Sequence, residues 1–190
     1  PQMTWGHEKW EVRLRAIPLS EERRGKTTQL IGAQGDGAKL VNSWEPLRDA
    51  VKKKANRYGD LAKPFVVAVN ADIFNLDQID EVQAWYGEEY WREVIDHPEK
   101  SGPGRHPNCA WLGPHVPYNR RVSAVWFFND LTPYSLAYRR STLYINPWAN
   151  FQTPEGLLRI PTRRIEGNSL VHVPGMDLGT IYGLHTDWPE

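Results

Sequence analysis

The sequence predicts an α/β (or α+β) fold: a mixed central sheet of about five strands, two main helices packed on it, and a loop-rich C-terminal tail. Three observations lead to this prediction. An amphipathic helix over 44–58 is followed by an apolar strand over 65–69. A second helical pattern covers 77–86, and a strongly apolar stretch at 122–128 predicts another strand. If the strands on either side of a helix are parallel, this order places the helices on the faces of the sheet.

The first helix has signals at both ends. Ser43 suits the N-cap position, because its hydroxyl can accept a hydrogen bond from a free amide of the first turn. Pro46 is tolerated this early, since its missing N–H would have no helical partner. Gly59 predicts a left-handed residue that ends the helix. One apolar stripe, at spacings of four, four and three, is expected to face the core: Leu47, Val51, Ala55 and Tyr58.

The stretch 65–69 is apolar at every position, which is typical of a strand covered on both faces, and Asn70 closes it. We therefore expect a central strand here. Nearer the N terminus, apolar and charged residues alternate over 9–17, which predicts a strand with one buried face. Residues 30–33 predict a short second strand before a glycine-containing turn at 35–37.

The second helix is also marked at its ends. Asp77 is expected to cap it and Gly87 to end it. Its apolar residues are expected to face inward: Ile79, Val82, Trp85 and Tyr86. The following residues, 88–119, are rich in proline and glycine, so we expect an irregular excursion.

Beyond residue 119 the chain predicts two strands and then loops. A strongly apolar stretch at 122–128 predicts one strand, and the stretch 141–145 predicts a partner strand. From Pro147 onward proline and glycine are frequent, so we expect a loop-rich tail with short strand candidates at 157–160 and 170–173.

Length and charge limit the classes of protein to consider. At 190 residues the chain fits a single domain over 1–190. Because it begins with Pro1 rather than methionine, we also consider that it is a fragment of a longer protein. Lys plus Arg equal Asp plus Glu at 23 each, so the overall charge favours neither nucleic acid nor membrane, although local patches still can. No apolar run approaches the ~20 residues of a membrane-spanning helix, and no signal-peptide pattern opens the chain. We expect a soluble, cytoplasmic protein with no membrane partner.

No metal site and no cofactor-binding motif is evident in the sequence. His97, His106 and His115 lie nine residues apart in expected loops, a spacing typical of no metal site, so exposed histidines are the simpler interpretation. Cys109 is the single cysteine, and a small packed thiol is favoured over a nucleophile. The turn at 35–37 lacks the pattern of a phosphate-binding loop. We therefore expect no cofactor and no metal.

The strongest local positive charge lies on the helix 44–58. Lys52, Lys53 and Arg57 are predicted to point away from the apolar stripe, where a solvated face is the simplest interpretation. Lys54 falls at the edge of the stripe. A lysine there must extend to solvent, meet a carboxylate or face a cleft, so it is the preferred functional cation.

Two further cations precede the strand 122–128. Arg120 or Arg121 could bind a phosphate or a carboxylate, although a surface charge pair is the simpler alternative. The predicted anion- or nucleic-acid-binding residues are therefore Lys53, Lys54, Arg57, Arg120 and Arg121.

Polar and aromatic residues at predicted strand ends indicate a second candidate site, a ligand cleft. Asn70 ends one strand and Asp72 follows it, where open α/β sheets commonly bind ligands, although a turn-capping pair is the alternative. The predicted cleft residues are Asn70, Asp72, Asn119, Asn146 and Trp148. For Trp148, packing beneath the tail is the simpler interpretation.

Four stretches resemble the downstream part of a group of longer, uncharacterised bacterial proteins: 10–18 (WEVRLRAIP), 47–70, 121–125 (RVSAV) and 143–149 (LYINPWA). The upstream part of those proteins resembles a PD-(D/E)xK nuclease core, a metal-dependent phosphodiesterase fold. Nucleases of that kind need Asp or Glu two residues before a Lys, so that both groups flank a metal-bound water. No lysine of this chain has an acidic residue at that position. The resemblance therefore implies that any metal carboxylates lie upstream of this chain or have been lost.

Three functional hypotheses follow. The first is an accessory, non-catalytic domain of a nuclease-like bacterial protein, in which the helix of Lys54 and the arginines 120 and 121 contact nucleic acid backbone. The second is a small-ligand-binding or enzymatic domain with an aromatic-rich cleft around Asn70, Asn119 and Trp148. The third is a protein-interaction module or homo-oligomer, because nine tryptophans could leave an apolar surface that needs a partner.

Overall fold

The computed structural model divides the chain into two compact units, Pro1–Leu40 and Val41–Glu190. The structure describes residues 2–8, 10–15, 42–59, 61–73, 76–167, 169–185 and 187–188. The predicted short strand at 30–33 and the turn at 35–37 lie outside these ranges. A single domain over the whole chain stays a prediction.

The N-terminal unit contains an antiparallel hairpin of β1 (Gln2–His7) and β2 (Trp10–Arg15). Glu8, between the two strands, has a left-handed φ of 52°. β2 confirms the strand predicted over 9–17, whereas β1 was not predicted. Leu14, expected on a buried face, is 48% exposed.

The C-terminal unit has a mixed five-stranded sheet as its centre. In chain order its elements are α1 (Trp44–Arg57), β3 (Phe65–Ala71), α2 (Gln78–Tyr86), β4 (Glu89–Arg92), β5 (Gly102–Arg105), β6 (Val122–Asn129), β7 (Ser141–Ile145), β8 (Thr162–Glu166), β9 (Ser169–Val173) and α3 (Leu178–Tyr182). The strands of the large sheet follow the spatial order β3-β6-β7-β8-β9. β3 with β6 and β7 with β8 are parallel, and the other neighbours are antiparallel. The predicted mixed sheet with two main helices is confirmed, in an α+β arrangement.

The strand expected to be central, β3, is instead at the edge of the described sheet, where it pairs with β6 alone. Its apolar sequence does not reflect strand neighbours on both sides. Instead, residues on each of its two faces contact apolar residues. Val67 belongs to the main core beneath the helices, and Val66 packs against a second cluster on the other face. On the second face only Val66 has this cover, because Ala68 is exposed, so the apolar run indicated neither two fully covered faces nor two strand neighbours.

The main core lies between the sheet and the helices α1 and α2. Three residues of the predicted stripe on α1, Leu47, Val51 and Ala55, are buried there, and Trp44 joins them. α2 contributes Ala84, Trp85 and Tyr86, and the segment after β5 contributes Cys109, Ala110 and Trp111. At roughly 1.5–3 kcal/mol for each large apolar side chain removed from water, this core is the main contribution to stability.

Both predicted end signals of α1 differ from the structure. Ser43 occupies the N-cap position, but its helical φ and ψ of −75° and −25° do not aim the hydroxyl at the first turn, and its side chain makes no capping hydrogen bond. Gly59 is not left-handed, because the chain already leaves the helix at Tyr58, which is extended. Tyr58 is therefore 46% exposed and meets the ring of Phe65 edge-on, at 5.6 Å between centroids.

The end signals of α2 are confirmed. Asp77 Oδ1 accepts hydrogen bonds from the amides of Ile79 at 2.7 Å and Asp80 at 2.9 Å, and the carboxylate of Asp80 accepts from the amide of Asp77 in return. Gly87 ends the helix with a φ of 89°. Ile79, in the first turn, is the exception to the predicted inward face, at 64% exposed.

The segment 88–119 is more regular than predicted. β4 and β5 form an antiparallel hairpin, and a 3₁₀ turn at Pro98–Lys100 lies between them. All four residues of β4 are exposed, and β5 reads Gly-Pro-Gly-Arg, so neither strand has the apolar pattern that predicts one.

The C-terminal tail completes the sheet. The candidate strand at 157–160 overlaps a 3₁₀ turn at Glu155–Arg159, so that strand prediction is wrong, whereas 170–173 lies within β9. β8 was not predicted. Its sequence, Thr-Arg-Arg-Ile-Glu, shows no apolar alternation, and its place in the sheet comes from parallel pairing with β7 and antiparallel pairing with β9.

Candidate functional site: a basic groove and a polar cavity

The C-terminal half of α1 is the most basic part of the described chain. From Val51 to Arg57 it contains Lys52, Lys53, Lys54 and Arg57 and no acidic residue. Lys53, Lys54 and Arg57 are exposed, and cations at this end complement the helix dipole. Of the three alternatives for Lys54, the structure shows extension to solvent, because its side chain is exposed, and its role as a functional cation stays a prediction.

Lys52 was predicted on a solvated face of this helix, but the structure shows it half-buried. Its ammonium lies 4.9 Å from the centre of the Tyr118 ring, a cation–π distance. Burial lowers the pKa of Lys52, and the nearby guanidinium of Arg48 lowers it further. Lys52, rather than the predicted Lys54, therefore faces the segment that contains Tyr118.

Arg48 has a structural role one turn earlier. Its guanidinium lies 4.8 Å from the centre of the Trp44 ring and donates a hydrogen bond to the carbonyl of Asn108 at 3.2 Å. It also donates to Asp49 at 2.8 Å, and this bond lowers the pKa of the Asp49 carboxyl. Arg48 thereby joins α1 to the segment before β6.

Arg120 and Arg121 are anchored by backbone carbonyls. Arg120 Nε donates to the carbonyl of Trp148 at 3.1 Å, and Arg121 Nη1 donates to the carbonyl of Tyr58 at 2.7 Å. The second bond satisfies a carbonyl just past the end of α1. Each guanidinium keeps further N–H donors that bond to none of the described residues.

These arginines line an open polar groove of about 460 Å³, which we call the basic groove; its lining residues are Asn56, Pro117, Tyr118, Asn119, Arg120, Arg121 and Asn150. Asn56 belongs to α1, and Lys53 lies on the same side of the helix three residues earlier. Lys54 lies two residues before Asn56 and so points to about the opposite side of the helix. The structure thus brings the predicted Asn119, Arg120 and Arg121 together, but without Lys54.

Asn119 and Asn146 hold the start of β6 in place. Asn119 has a left-handed φ of 52°, and its Nδ2 donates to the carbonyl of Ala110 at 2.8 Å. Asn146 is buried, and its side chain donates to the carbonyl of Val122 at 2.8 Å and accepts from the amide of Trp148 at 2.9 Å. Buried amides with this many backbone partners stabilise a fold.

The remaining cleft residues are dispersed. Trp148 packs against the main core and lines a smaller cavity of about 170 Å³ between α2, the β4–β5 hairpin and β8. Asn70 lies at the opposite end of the sheet, where its side chain donates to the carbonyl of Leu131 at 2.8 Å and accepts from its amide at 2.9 Å. Asp72 is exposed. The five predicted residues therefore do not form one cleft, and their binding of a ligand stays a prediction.

A second polar cavity, of about 380 Å³, lies at the carboxyl end of β6, beside the start of β7 and the first half of α2. We call it the Glu81 cavity; its lining residues are Leu76, Gln78, Glu81, Phe127, Asn129, Tyr138, Arg139, Arg140 and Thr142. Tyr144 donates a hydrogen bond to Glu81 Oε2. Burial raises the pKa of the Glu81 carboxyl, against the opposing effects of Tyr144 and Arg140. A carboxyl with a raised pKa in a cavity is a candidate functional group, which sequence patterns did not reveal.

Histidine and cysteine residues offer no alternative site in the described residues. All six histidines are exposed, and no group of three or more His, Cys, Asp or Glu side chains in those ranges is placed to hold a metal ion. Cys109 is buried, as predicted for a packed thiol, and burial raises its pKa. Tyr118 donates a hydrogen bond to the backbone carbonyl of Cys109, and burial raises the pKa of Tyr118 to about 12.

Comparison with known proteins gives no family: no family model, no curated protein and no solved structure matches the chain. The resemblance to nuclease-associated bacterial proteins stays a prediction. Within the part of the chain that the structure describes, none of the helices has the length and apolar character needed to cross a bilayer.

Proposed function

We propose that the C-terminal unit is a non-catalytic binding domain that contacts the phosphate backbone of nucleic acid through the basic groove and the adjoining face of α1. The observation behind this proposal is the convergence of two separate basic segments. The first segment is the end of α1, which contains Lys53 and Arg57, and the second is the turn at 119–121. The hydrogen bond from Arg121 to the carbonyl of Tyr58 joins the two segments. Cations from both segments can therefore reach neighbouring phosphates.

The anchoring of the arginines favours an anion as the ligand. A guanidinium that one carbonyl already orients loses less side-chain freedom when it binds, and its remaining donors match phosphate oxygens. Arg120 and Arg121 both meet this description. Amides of Asn56 and Asn150 add neutral donors along the same groove. Contacts to the phosphate backbone carry no direct sequence information, so the proposed binding depends on charge more than on sequence.

Binding of this kind has a characteristic salt dependence. For duplex DNA, each phosphate neutralised by a cation adds about −0.9 to the slope of log K against log salt. We expect the wild-type chain to bind labelled duplex and single-stranded oligonucleotides at low salt and to release them as salt rises. The double variant Arg57→Ala/Arg120→Ala should bind more weakly and reduce the duplex slope by about two.

The helix offers a matched pair of variants. Lys53→Ala and Lys54→Ala remove the same charge from adjacent exposed positions, but only Lys53 is on the side of the basic groove. We expect Lys53→Ala to weaken binding several-fold more than Lys54→Ala, while Lys100→Ala, in the β4–β5 hairpin, has no effect. Equal losses at positions 53 and 54 would indicate a general attraction to the helix and contradict binding in the groove. An absence of binding even at low salt would refute the proposal as a whole.

A further inference from the structure

The Glu81 cavity lies at the carboxyl end of β6, beside the start of β7. β3 and β6 are parallel neighbours, and open sheets bind ligands outside the carboxyl ends of parallel strands. Phe127 and Asn129 come from the end of β6, Thr142 from the start of β7, and Gln78 and Glu81 from the first half of α2. None of the residues that line the basic groove lines this cavity, so the two sites are separate.

The cavity has a negative end at Glu81. Oε2 of this carboxyl accepts the hydrogen bond from Tyr144, whereas Oε1 has no hydrogen-bond partner among the described residues. Burial raises the pKa of Glu81, which means that the carboxylate has lost hydration that the protein does not fully replace. A cationic or N–H donor group of a ligand, bound at Oε1, would replace this lost hydration.

The cavity also has a positive end at the segment before β7. Arg139 is held by Asp130, to which it donates through Nη2, and by the carbonyl of the same residue through Nε at 3.0 Å. Arg140 is exposed and makes no hydrogen bond or ion pair with a described residue, although it is near enough to Glu81 to lower the pKa of that carboxyl. The guanidinium of Arg140 is therefore free to bind a carboxylate.

We propose that the Glu81 cavity binds a small zwitterion of the α-amino-acid class, with the ammonium group at Glu81 and the carboxylate at Arg140. The two charged ends face one cavity of about 380 Å³, a size that suits a small ligand. Gln78, Asn129 and Thr142 also line the cavity and supply neutral donors and acceptors. A ligand with both charges can meet the partly buried carboxylate of Glu81 and the guanidinium of Arg140 at the same time, which a singly charged ligand cannot do.

The test is thermal stability and calorimetric titration of the full chain with the twenty standard α-amino acids, each at millimolar concentration. At least one should raise the melting temperature and bind with measurable heat. For each amino acid that binds, two analogues act as probes of the two ends: the N-acetyl derivative, which lacks the ammonium charge, and the C-terminal amide, which lacks the carboxylate. Each analogue should bind at least tenfold more weakly.

Three variants complete the test. Arg140→Ala and Glu81→Gln should each weaken binding at least tenfold, whereas Arg159→Ala, an exposed arginine outside the cavity, should change it less than twofold. Arg140 lies on the surface, so its variant stays informative if Glu81→Gln unfolds the protein. The proposal is overturned if no amino acid binds, if the N-acetyl derivative binds as well as its parent, or if binding survives Arg140→Ala.

Discussion

Asn70 and Asn146 allow a direct comparison of exposed and buried side-chain hydrogen bonds in one sheet. Each asparagine side chain donates to a backbone carbonyl at 2.8 Å and accepts from a backbone amide at 2.9 Å, and Asn146 also donates a longer bond to the carbonyl of Asn119 at 3.4 Å. Asn70 is exposed, whereas Asn146 is only 3% exposed. The two substitutions to alanine therefore remove similar bonds from different surroundings.

The expected losses of stability differ because water can reach only one of the two sites. Asn146→Ala leaves the carbonyl of Val122 and the amide of Trp148 without this partner, and each buried unsatisfied group costs about 1–3 kcal/mol. We expect a total loss of about 2–4 kcal/mol. For Asn70→Ala, water replaces the side chain at Leu131, and we expect a loss of about 0.5–1 kcal/mol.

Urea unfolding followed by tryptophan fluorescence measures both losses as changes in the free energy of unfolding. The slope of this free energy against urea concentration should be the same for the wild type and both variants. A loss for Asn146→Ala no larger than that for Asn70→Ala would refute the argument from burial. It would also remove the reason for assigning Asn146 to the fold and leave a ligand as the better explanation of its position.

Three further predictions concern α2 and use the same unfolding assay. Asp77→Ala should destabilise the protein by about 1 kcal/mol through loss of the N-cap, and Asp77→Asn should recover most of the loss; full stability in the alanine variant would contradict the cap. Gly87→Ala should cost about 2 kcal/mol or more, because its φ is 89° and a Cβ would lie 2.1 Å from the carbonyl oxygen of His106; a neutral effect would mean that this contact is not present in solution. Burial raises the pKa of Glu81 above its ordinary 4.5; the nearby Tyr144, Arg140 and Arg163 oppose this rise, and Asp77 adds to it. The folded protein therefore holds a proton on Glu81 more tightly than the unfolded chain does. The stability that this proton contributes is complete below about pH 4.5 and is lost as pH rises through the pKa of the folded state. The stability of the wild type relative to Glu81→Gln should therefore fall as pH rises from about 4 to 7, and a constant or rising difference would show that the pKa of Glu81 is not raised.

The parts of the fold that sequence patterns predicted are those that local chemistry determines. The carboxylate of Asp77 caps a helix whose amides are two and three residues away, and the pattern was visible without any knowledge of the tertiary structure. β6 and β7 are almost wholly buried, so their largely apolar sequences identified them. β8 has no such pattern, because its position depends on pairing with strands on both sides.

The candidate sites depend on contacts between distant parts of the chain, which explains why only part of them was predicted. The hydrogen bond from Tyr144 to Glu81 spans 63 residues, and that from Arg121 to Tyr58 also spans 63. Nothing local distinguishes Glu81 from other glutamates on helices. For the lysines of α1, the sequence located the basic helix but not its orientation, so Lys54 was preferred although Lys52 and Lys53 lie on the side of the groove.

The basic groove and the Glu81 cavity lie at opposite ends of β6, and this separation makes a further prediction. Arg120 lies two residues before the start of the strand at Val122, whereas the cavity includes its last residue, Asn129. Seven residue steps of about 3.3 Å separate the strand ends by about 23 Å. At such distances the effects of two substitutions usually add within about 0.5 kcal/mol. The double variant Arg120→Ala/Arg140→Ala should therefore lose oligonucleotide affinity as Arg120→Ala does and amino-acid affinity as Arg140→Ala does. Strong non-additivity in either affinity would mean that the rigid, buried strand between the sites transmits a change from one end to the other, and that the two proposed ligands regulate each other.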